Sequence, residues 1–475
     1  MDADTIFAVA SGTGQAAIAV MRLSGPESHA MLGKLCGRVP APRRASFRRL
    51  RDAGGAELDQ GMVVWLPGPG SYTGEDAAEL YLHGGRAVLH DVADALVALG
   101  ARPAEPGEFT RRAFLNGRMD LTECEAVHDL VAAETDAQRR QALRQLDGAL
   151  GTLYRGWSDR LRLLLAQQEA LIDFPDEDLP PEVEALVLVE LEALRCEVAA
   201  HLDDNRRGER LREGLVFAIT GPPNVGKSSL MNALAERDVA IVSAAPGTTR
   251  DALEARVVLG GVPVTLVDTA GLRDATDEVE AEGVRRARAR AAAADLVMVV
   301  VEAGAEAAVP SPFPPPARGG GEPSSSPSSG SGSGSGSSPG AGSSSGSISV
   351  STPVIMSPQT TILIANKLDL GGVAPKPAVG VSARTGEGLE ALRAILGNAA
   401  CTLTQAQGPP PLTQARHRAS LQEAGARLAA AQIADLPELR AEDLRLALRA
   451  LGRITGSVGV EDILDTLFAR FCIGK

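Results

Sequence analysis

The chain has 475 residues, 44% of them hydrophobic, so it can form about three globular domains with cores of ordinary size. A net charge of −13 excludes a surface that attracts nucleic acid over its whole area, and an aromatic content of 3% excludes a platform that stacks single-stranded bases. Any contact with RNA has to use a local basic patch.

Residues 1–118 combine short strands with turns rich in glycine and proline. Residues 18–23 and 61–66 have the β-branched and alternating character of strands, and a helical pattern covers about residues 86–99. This mixture predicts an N-terminal α+β domain.

Residues 119–212 are a series of long helical segments rich in Ala, Leu, Arg and Glu. Asp120 or Thr122 can cap the first helix, and the proline pair at 180–181 separates two later ones. We predict that these helices pair with those of residues 400–475, so that one helical domain is built from two parts of the chain.

Between these two parts, residues 213–399 have the pattern of a nucleotide-binding α/β domain. Apolar runs alternate with helical segments, one beginning at Ser228 and another running from Gly388 to about Ile395, which indicates a mostly parallel sheet. The predicted strands are residues 215–219, 257–259, 264–267, 296–301 and 361–365.

Residues 303–353 interrupt this domain with a segment composed mainly of Ser, Gly and Pro. Such a composition buries too little apolar surface to offset chain entropy, so we expect a disordered insertion. We interpret it as a tolerated surface insertion, and the alternative is a regulatory segment with its own partner.

The five cysteines, at positions 36, 124, 196, 401 and 472, form no C-x-x-C pair, so neither a zinc site nor a disulfide framework is indicated. The N-terminus lacks the order of a signal peptide, and no apolar run is long enough to span a bilayer. The sequence therefore predicts a soluble protein of the reducing cytoplasm.

Residues 221–229 have the sequence Gly-Pro-Pro-Asn-Val-Gly-Lys-Ser-Ser and lie between a predicted strand and a predicted helix. Gly221 and Gly226 permit the torsions that turn backbone N–H groups toward a phosphate. In this pattern Lys227 neutralises the β- and γ-phosphates, and the Ser228 hydroxyl binds Mg²⁺. The strand–loop–helix context makes the motif specific for a phosphate loop.

Two further GTPase motifs follow in order. Thr249, within the Gly-Thr-Thr-Arg-Asp run of residues 247–251, is positioned to give a second Mg²⁺ ligand and to sense the γ-phosphate, which makes the segment a switch. Asp268 begins an Asp-Thr-Ala-Gly run that ends at Gly271, and its carboxylate is predicted to hold a metal-bound water.

The Asn-Lys-Leu-Asp run of residues 366–369 predicts which base is bound. The Asp369 carboxylate can accept hydrogen bonds from guanine N1–H and from its exocyclic amine. Adenine lacks this pair of donors and would leave a buried charge unsatisfied. Ser382 and Ala383 are predicted to add backbone contacts near guanine O6, so the sequence favours GTP over ATP.

The predicted site has three catalytic members at this stage, Lys227, Thr249 and Asp268. The residue after Gly271 is Leu272, where many GTPases carry a glutamine that orients the attacking water. Either hydrolysis is slow or another group orients the water and neutralises charge. The complete predicted GTP site is Gly221, Asn224, Val225, Gly226, Lys227, Ser228, Ser229, Ser243, Ala244, Ala245, Pro246, Gly247, Thr248, Thr249, Asp268, Thr269, Ala270, Gly271, Asn366, Lys367, Asp369, Ser382, Ala383 and Arg384.

Three further blocks carry a family resemblance. They are Tyr-Thr-Gly-Glu-Asp at 72–76 with His-Gly-Gly at 83–85, Pro-Gly-Glu-Phe at 106–109 with Ala-Phe-Leu-Asn at 113–116, and the terminal Phe-Cys-Ile-Gly-Lys at 471–475. With these blocks the chain closely resembles the MnmE (TrmE) family of GTPases, which modify the wobble uridine of tRNA. The resemblance covers nearly the whole chain outside the Ser/Gly-rich insertion.

The resemblance implies a folate-binding N-terminal domain that dimerises, and a Ras-like P-loop GTPase domain inserted in an all-helical domain. It implies a heterotetramer with the FAD- and NADH-dependent flavoprotein MnmG, which adds an aminomethyl or carboxymethylaminomethyl group to C5 of uridine 34. The one-carbon unit comes from 5-formyl- or 5,10-methylene-tetrahydrofolate. GTP hydrolysis in this family needs K⁺ and dimerisation of the nucleotide domains, which would supply the charge that Leu272 cannot.

By position, the resemblance implies four K⁺ ligands and one further catalytic acid. The ligands are the Asn224 side chain and oxygens of Ser243, Ala245 and Thr248. Glu280 corresponds to the acid that orients the attacking water through a bridging water, and the alternative is an exposed helix carboxylate. Residues 243–246 are Ser-Ala-Ala-Pro where relatives often have an acidic and a branched residue, but main-chain carbonyls can still bind the ion.

The resemblance also implies folate contacts at Arg22, Glu79, Arg118 and Lys475. A pterin presents a guanine-like donor edge to Glu79, and the cations meet glutamate carboxylates. Relatives more often have Lys at position 118, and an ordinary surface salt bridge is the alternative for each arginine. Cys472 has either a part in the modification chemistry or the role of a buried structural thiol.

Two other functions are consistent with the nucleotide motifs alone. An RNA-binding switch GTPase of ribosome assembly would not need residues 1–118 or the Cys-Ile-Gly-Lys terminus. A stand-alone GTP hydrolase would use the N-terminal domain only for dimerisation. The three additional blocks favour the tRNA-modifying GTPase.

Overall fold

The computed structural model describes residues 4–12, 14, 16–173, 182–237, 254–268, 294–304, 360–405, 408–459 and 461–474. The chain forms two compact units. The first comprises Met1–Glu213 with Leu403–Lys475, and the second comprises Gly214–Thr402. The proline pair at 180–181 and most of the insertion, from residue 305 onward, lie outside the described residues.

A six-stranded sheet opens the first unit. Its strands are β1 (Ile6–Val9), β2 (Ala16–Ser24), β3 (Ser46–Arg51), β4 (Glu57–Leu66), β5 (Ala77–Gly84) and β6 (Arg102–Pro103). Their order is β3-β4-β5-β2-β1-β6, and neighbours are antiparallel except for the parallel pair β1 and β6. The strands predicted at 18–23 and 61–66 are confirmed.

Two helices, α1 (Ser28–Cys36) and α2 (Arg86–Ala98), cover one face of this sheet. Side chains alternate along a strand, so Met21 and Leu80 enter the core under the helices while Arg22 and Glu79 lie on the other face. The helix predicted at 86–99 is confirmed. The second face of the sheet carries no helix of the described part of the first unit in its core contacts.

The remainder of the first unit is helical, as predicted. Its helices are α3 (Glu108–Leu115), α4 (Leu121–Ala132), α5 (Asp136–Leu146), α6 (Ala149–Asp173), α7 (Glu182–Leu202) and α8 (Arg207–Glu213). Asp120 rather than Thr122 caps α4, because its carboxylate accepts from the Glu123 N–H at 3.0 Å while Glu123 Oε2 accepts from the Asp120 N–H at 2.7 Å.

Helices from after the second unit complete this helical part. They are α11 (Ala415–Ile433), α12 (Pro437–Thr455) and α13 (Glu461–Phe468), and α10 is defined with the second unit below. Buried residues of α6, α7, α11 and α12 form one core, in which Tyr154, Leu194, Leu428 and Leu451 are all buried. The prediction that helices from both chain segments pack together is therefore confirmed.

The second unit is built on a second six-stranded sheet. Its strands are β7 (Leu215–Thr220), β8 (Glu254–Leu259), β9 (Val262–Asp268), β10 (Leu296–Glu302), β11 (Thr360–Asn366) and β12 (Val379–Gly380). The order is β12-β11-β10-β7-β9-β8, and only β8 with β9 is antiparallel. The five predicted strands and the mostly parallel sheet are confirmed, with helix α9 (Lys227–Arg237) following β7.

The last helix of this unit, α10 (Leu389–Thr404), is longer than predicted. The predicted end near Ile395 is wrong, since the helix passes through Gly397 without a break. A Cβ at position 397 would lie 3.0 Å from the Gly260 backbone nitrogen. This glycine therefore serves a close approach between the helix and the β8–β9 turn rather than a helix end.

The architecture agrees with the predicted class, a parallel α/β nucleotide domain inserted in a helical domain and preceded by an α+β domain. Within the described ranges, no helix is long and apolar enough to cross a bilayer.

Candidate functional site

The conserved-looking motifs of the second unit meet at one edge of its sheet. The phosphate loop follows β7, Asp268 is the last residue of β9, and Asn366 is the last residue of β11. Strand β7 lies between β10 and β9, so the connections leave it in opposite directions. Ligands of open α/β sheets bind at the carboxyl ends of strands at such a switch point.

The phosphate loop has the backbone that glycine permits. Gly221 has φ +145° and Gly226 has φ +93°, and Asn224 between them is also left-handed at φ +63°. A Cβ on Gly221 would collide with the backbone oxygen of Val300 on the neighbouring strand. The loop is therefore fitted against β10 so closely that position 221 excludes any side chain.

Lys227 and Ser228 begin α9 beside this loop. The Lys227 ammonium donates to the carbonyls of Gly221 at 2.9 Å and Pro222 at 2.7 Å. The Ser228 hydroxyl donates to Asp268 Oδ2 at 2.5 Å, which brings two motifs far apart in sequence into contact. A helix N-terminus with its own cation is suited to a polyphosphate.

Asn366 links the phosphate loop to the base-binding segments. Its side chain is buried, and its Nδ2 donates to the Val225 carbonyl at 2.9 Å while its Oδ1 accepts from the Ala383 N–H at 3.0 Å. The same amide lies where a Cβ on Gly226 would be. Asn366 thus fixes the position of both segments, a role for which an amide with a donor and an acceptor is required.

Asp369 lies in a short 3₁₀ helix of residues Leu368–Leu370 after the left-handed Lys367. Its Oδ1 accepts from the Ser382 hydroxyl at 2.7 Å, and its Oδ2 lies 3.9 Å from the Arg384 guanidinium. Lys367 pairs with Glu302 of β10 at 3.1 Å. The structure therefore groups Asn366, Asp369 and the 382–384 segment.

Replacing Asp369 with asparagine should move base preference from GTP toward xanthosine triphosphate. The amide presents a donor where xanthine has a carbonyl, whereas guanine has an amine there. The control is Ser382→Ala, which removes one hydrogen bond from Asp369 without changing its charge and should weaken both nucleotides equally. Competition binding with both triphosphates measures the effect, and an unchanged preference for GTP contradicts the assignment.

Several predicted site residues lie outside the described residues. They are Ser243, Ala244, Ala245, Pro246, Gly247, Thr248, Thr249, Thr269, Ala270, Gly271, Leu272, Glu280 and Lys475. Their roles stay predictions.

The described donors fit a phosphate-bound Mg²⁺. Ser228 and Asp268 place a hydroxyl and a carboxylate together beside the phosphate loop, and hard oxygen donors of this kind suit Mg²⁺. Mg²⁺ usually takes few protein ligands and completes its shell with phosphate and water. In agreement with this, no cluster of three His, Cys, Asp or Glu side chains suited to a metal occurs in the described part of the chain.

A second group of predicted residues lies on the open face of the N-terminal sheet. Arg22 and Glu79 are cross-strand neighbours, and the Arg22 Nη2 donates to Glu79 Oε1 at 2.9 Å. The Tyr81 hydroxyl donates to Glu79 Oε2 at 2.9 Å. A carboxylate offers about four acceptor positions, so Glu79 has capacity for a ligand donor beyond these contacts.

Two aromatic residues that the site prediction did not include surround Arg22. Its guanidinium lies 5.3 Å from the Tyr72 ring centre and 5.8 Å from that of Phe109. Burial raises the pKa of the Tyr72 phenol, whose oxygen is 2.8 Å from the Thr110 hydroxyl. Both aromatics belong to the 72–76 and 106–109 blocks, so their signal was in the sequence.

The other predicted folate residue with described coordinates, Arg118, lies beside the same blocks. Its side chain carbons are 3.1 Å from where a Cβ on Gly74 would be. The Asn116 amide in turn donates to the Thr73 carbonyl at 2.7 Å. The 72–76 loop is thus held by the end of α3 and the residues that follow it.

The C-terminal segment returns to the N-terminal domain. The Gly107 N–H donates to the Cys472 carbonyl at 3.5 Å, and a Cβ on Gly474 would lie 2.5 Å from the Val9 carbonyl oxygen. The Cys472 thiol itself is exposed. The alternative of a buried structural thiol is therefore wrong, because it is the flanking Phe471 and Gly474 that are buried.

The α/β sheet with a phosphate loop, a carboxyl-edge Asp and an Asn-Lys-x-Asp segment defines a P-loop nucleotide-binding domain of the GTPase class. Residues 5–118 match the family model described as GTP-binding protein TrmE N-terminus, and residues 121–472 match MnmE helical domain.

The chain belongs to the MnmE family. It is 56% identical to the tRNA modification GTPase MnmE of Gluconacetobacter diazotrophicus over 99% of this chain and 98% of that protein. It is 52% identical to the tRNA modification GTPase MnmE of Granulibacter bethesdensis, with all of both chains covered. The predicted family is thereby confirmed.

Proposed function

We propose that this chain hydrolyses GTP and that this hydrolysis serves tRNA modification. The observation that carries the proposal is the convergence of the phosphate loop, Asp268 and Asp369 at one sheet edge, within a chain similar throughout its length to tRNA modification GTPases. In the proposed domain plan, residues 1–118 bind folate, residues 213–399 bind GTP, and 119–212 with 400–475 form the helical domain.

In the finer proposal the modified position is C5 of the wobble uridine, and the flavoprotein MnmG is the partner in a heterotetramer. Cells lacking this protein should lose the (carboxymethyl)aminomethyl nucleoside and retain unmodified uridine at position 34. Nucleoside mass spectrometry of total tRNA measures this. Restored modification on re-expression is the control, and normal wobble nucleosides in the deletion strain contradict the proposal.

In the proposed GTP site, Lys227 and the α9 N-terminus bind phosphates, while Ser228 and Thr249 hold Mg²⁺ and Asp268 holds a metal-bound water. Mg²⁺ supplies charge neutralisation on the phosphates when bound. Asn224 is the described member of the proposed K⁺ ligand set, and its left-handed backbone exposes a side-chain oxygen donor within the phosphate loop. We assign Glu280 to orienting the attacking water.

We propose that the open face of the N-terminal sheet binds a second copy of the chain. Phe47, Met62, Tyr81 and Val20 are successive cross-strand neighbours in one row across β3, β4, β5 and β2. Phe47 is 58% exposed and Met62 39% exposed. A row of apolar side chains across a sheet face favours self-association.

One titration tests K⁺ and dimerisation together. GTP turnover per chain should rise with protein concentration in potassium chloride and stay low in sodium chloride at equal ionic strength. Concentration dependence in both salts would contradict the K⁺ assignment, and K⁺ stimulation without concentration dependence would contradict activation by dimerisation. Phe47→Asp, which places a charge in the apolar row, should shift the dependence to higher concentration.

For the one-carbon unit we propose a tetrahydrofolate bound at Arg22, Glu79, Arg118 and Lys475. The Arg22–Glu79 pair on the open face supports this, since it offers a carboxylate for a pterin donor edge and a cation beside two aromatic rings. Exposed Cys472 is proposed to take part in the modification chemistry. Folate supplies the one-carbon group when bound.

A further inference from the structure

Helix α4 contacts both chain segments that join the first unit to the second. The chain enters the second unit after α8, which ends at Glu213, and returns at Leu403. These two connecting segments are held together, because the Arg207 guanidinium donates to the Gln405 carbonyl at 3.2 Å. Any movement of the second unit has to pass through them.

The entering segment is fixed to α4 and α5 by buried polar contacts. The Arg212 Nε donates to Asp129 Oδ1 of α4 at 2.7 Å. Gln138 and Gln141 of α5 donate to the carbonyls of Arg212 at 3.1 Å and Gly208 at 3.0 Å. The contacts reach backbone as well as side chain, so α8 cannot shift without α4 and α5.

The returning segment is fixed to the same pair of helices. Glu125 of α4, which is 1% exposed, accepts from the Arg416 guanidinium and lies 2.7 Å from His417 Nε2. Thr413 donates to Gln145 of α5 at 2.8 Å. Burial by itself raises the pKa of Glu125, but His417 and Arg416 outweigh it and lower that pKa. The carboxylate therefore stays charged and bound to its partners.

A neighbouring stripe of α4 packs against the C-terminal segment. Leu121 and Cys124 share a core with Phe468 and Phe471, and the His128 ring centre is 5.1 Å from that of Phe471. Residues three and four apart lie on one side of a helix, so this stripe adjoins the one that carries Glu125 and Asp129.

The two stripes share a small cavity. It has a volume of about 150 Å³ and is lined by His128, Asp129 and Arg212 together with α5 side chains. Burial lowers the pKa of His128, and the positive charges of Arg212 and Arg470 lower it further. The ring that touches Phe471 is therefore in electrostatic contact with the arginine of the entering segment.

We propose that α4 transmits the nucleotide state of the second unit to the Cys472 segment, with Glu125 as its central positioning residue. A contiguous set of packed and hydrogen-bonded groups links the connecting segments to Phe471, and a rigid helix moves as one body when its buried partners shift. The inference rests on the proposed GTP hydrolysis and adds to it the route to the modification site.

The test measures alkylation of Cys472 by iodoacetamide in the full-length protein, followed by peptide mass spectrometry. Rates are compared with GDP and with a non-hydrolysable GTP analogue. In the wild type the two rates should differ about 5-fold, the lower range of measured site–site coupling. Exposed Cys196 on α7 is the internal reference and should react equally in both states.

In Glu125→Gln the difference at Cys472 should disappear while GTP turnover changes less than about 2-fold, since Glu125 is remote in sequence from every nucleotide motif. Glu442→Gln, an exposed carboxylate paired with Arg445 on α12, is the matched control and should keep the difference. If Glu125→Gln melts below the assay temperature, Asp129→Asn removes the charge of the other connection and should have the same effect.

Two outcomes overturn the proposal. One is an equal Cys472 rate with both nucleotides in the wild type. The other is a nucleotide-dependent difference that survives in both Glu125→Gln and Asp129→Asn. Failure of the proposed GTP function is a separate observation, because the wild type would then bind neither nucleotide.

Discussion

Gly221→Ala should destabilise the second unit by several kcal/mol and reduce GTP turnover at least about 100-fold. A Cβ at this position collides with the Val300 backbone oxygen, and no rotamer change can relieve a contact with backbone. The positive φ adds roughly 1–2 kcal/mol for a non-glycine residue. Loss of correctly placed N–H donors in other active sites costs about 10²–10³ in rate.

The matched control is Gly261→Ala in the same unit. Gly261 also has a positive φ, +80°, but a Cβ there meets nothing within 4 Å. This variant should lose only about 1 kcal/mol and keep its turnover. The comparison uses urea unfolding of the transition that GDP shifts, together with a phosphate-release assay. Equal stability and turnover in the two variants would show that the close approach to Val300 has no role.

The second large effect is expected for Arg22→Met combined with Glu79→Gln. Affinity for 5-formyltetrahydrofolate should fall by about 10²–10⁴-fold, because two charge-assisted hydrogen-bonding groups of about 1.5–3 kcal/mol each are removed. The pair is replaced by neutral residues of similar size, so neither partner is left as an unpaired buried charge. Isothermal titration calorimetry measures the affinity.

The control for the folate variant is Arg49→Met combined with Glu57→Gln. This pair joins the neighbouring strands β3 and β4 with a nitrogen–oxygen distance of 3.7 Å, and both side chains are largely exposed. Its removal should leave folate affinity and melting temperature unchanged, since exposed pairs contribute little to stability. Folate binding that is unaltered in the Arg22 and Glu79 variant would refute the proposed site.

Much of the second unit could be predicted because its motifs act locally. Lys227 follows a glycine loop by one residue, and each apolar run is long enough to show strand periodicity by itself. The end of α10 could not be predicted in this way. Gly397 resembles a helix stop until the β8–β9 turn is known to lie against it. Tertiary contact decided that boundary.

The surroundings of Arg22 and Cys472 also depended on tertiary structure. Arg22 and Glu79 are 57 positions apart and meet only because β2 and β5 pair in one register. Burial of Cys472 was a reasonable alternative for a thiol beside Phe471, yet the chain turns so that Phe471 enters the core and the thiol does not.

The sequence by itself determined the GTPase motifs, their order and the family, since each depends on residue types at short fixed spacings. Tertiary structure alone decided that Asn366 ties the phosphate loop to Ala383 and that Glu125 of α4 meets Arg416 and His417. Glu125 and Arg416 are separated by 291 positions, with the whole second unit between them. Local patterns cannot report such contacts, because they arise from the packing of elements that are distant in the chain.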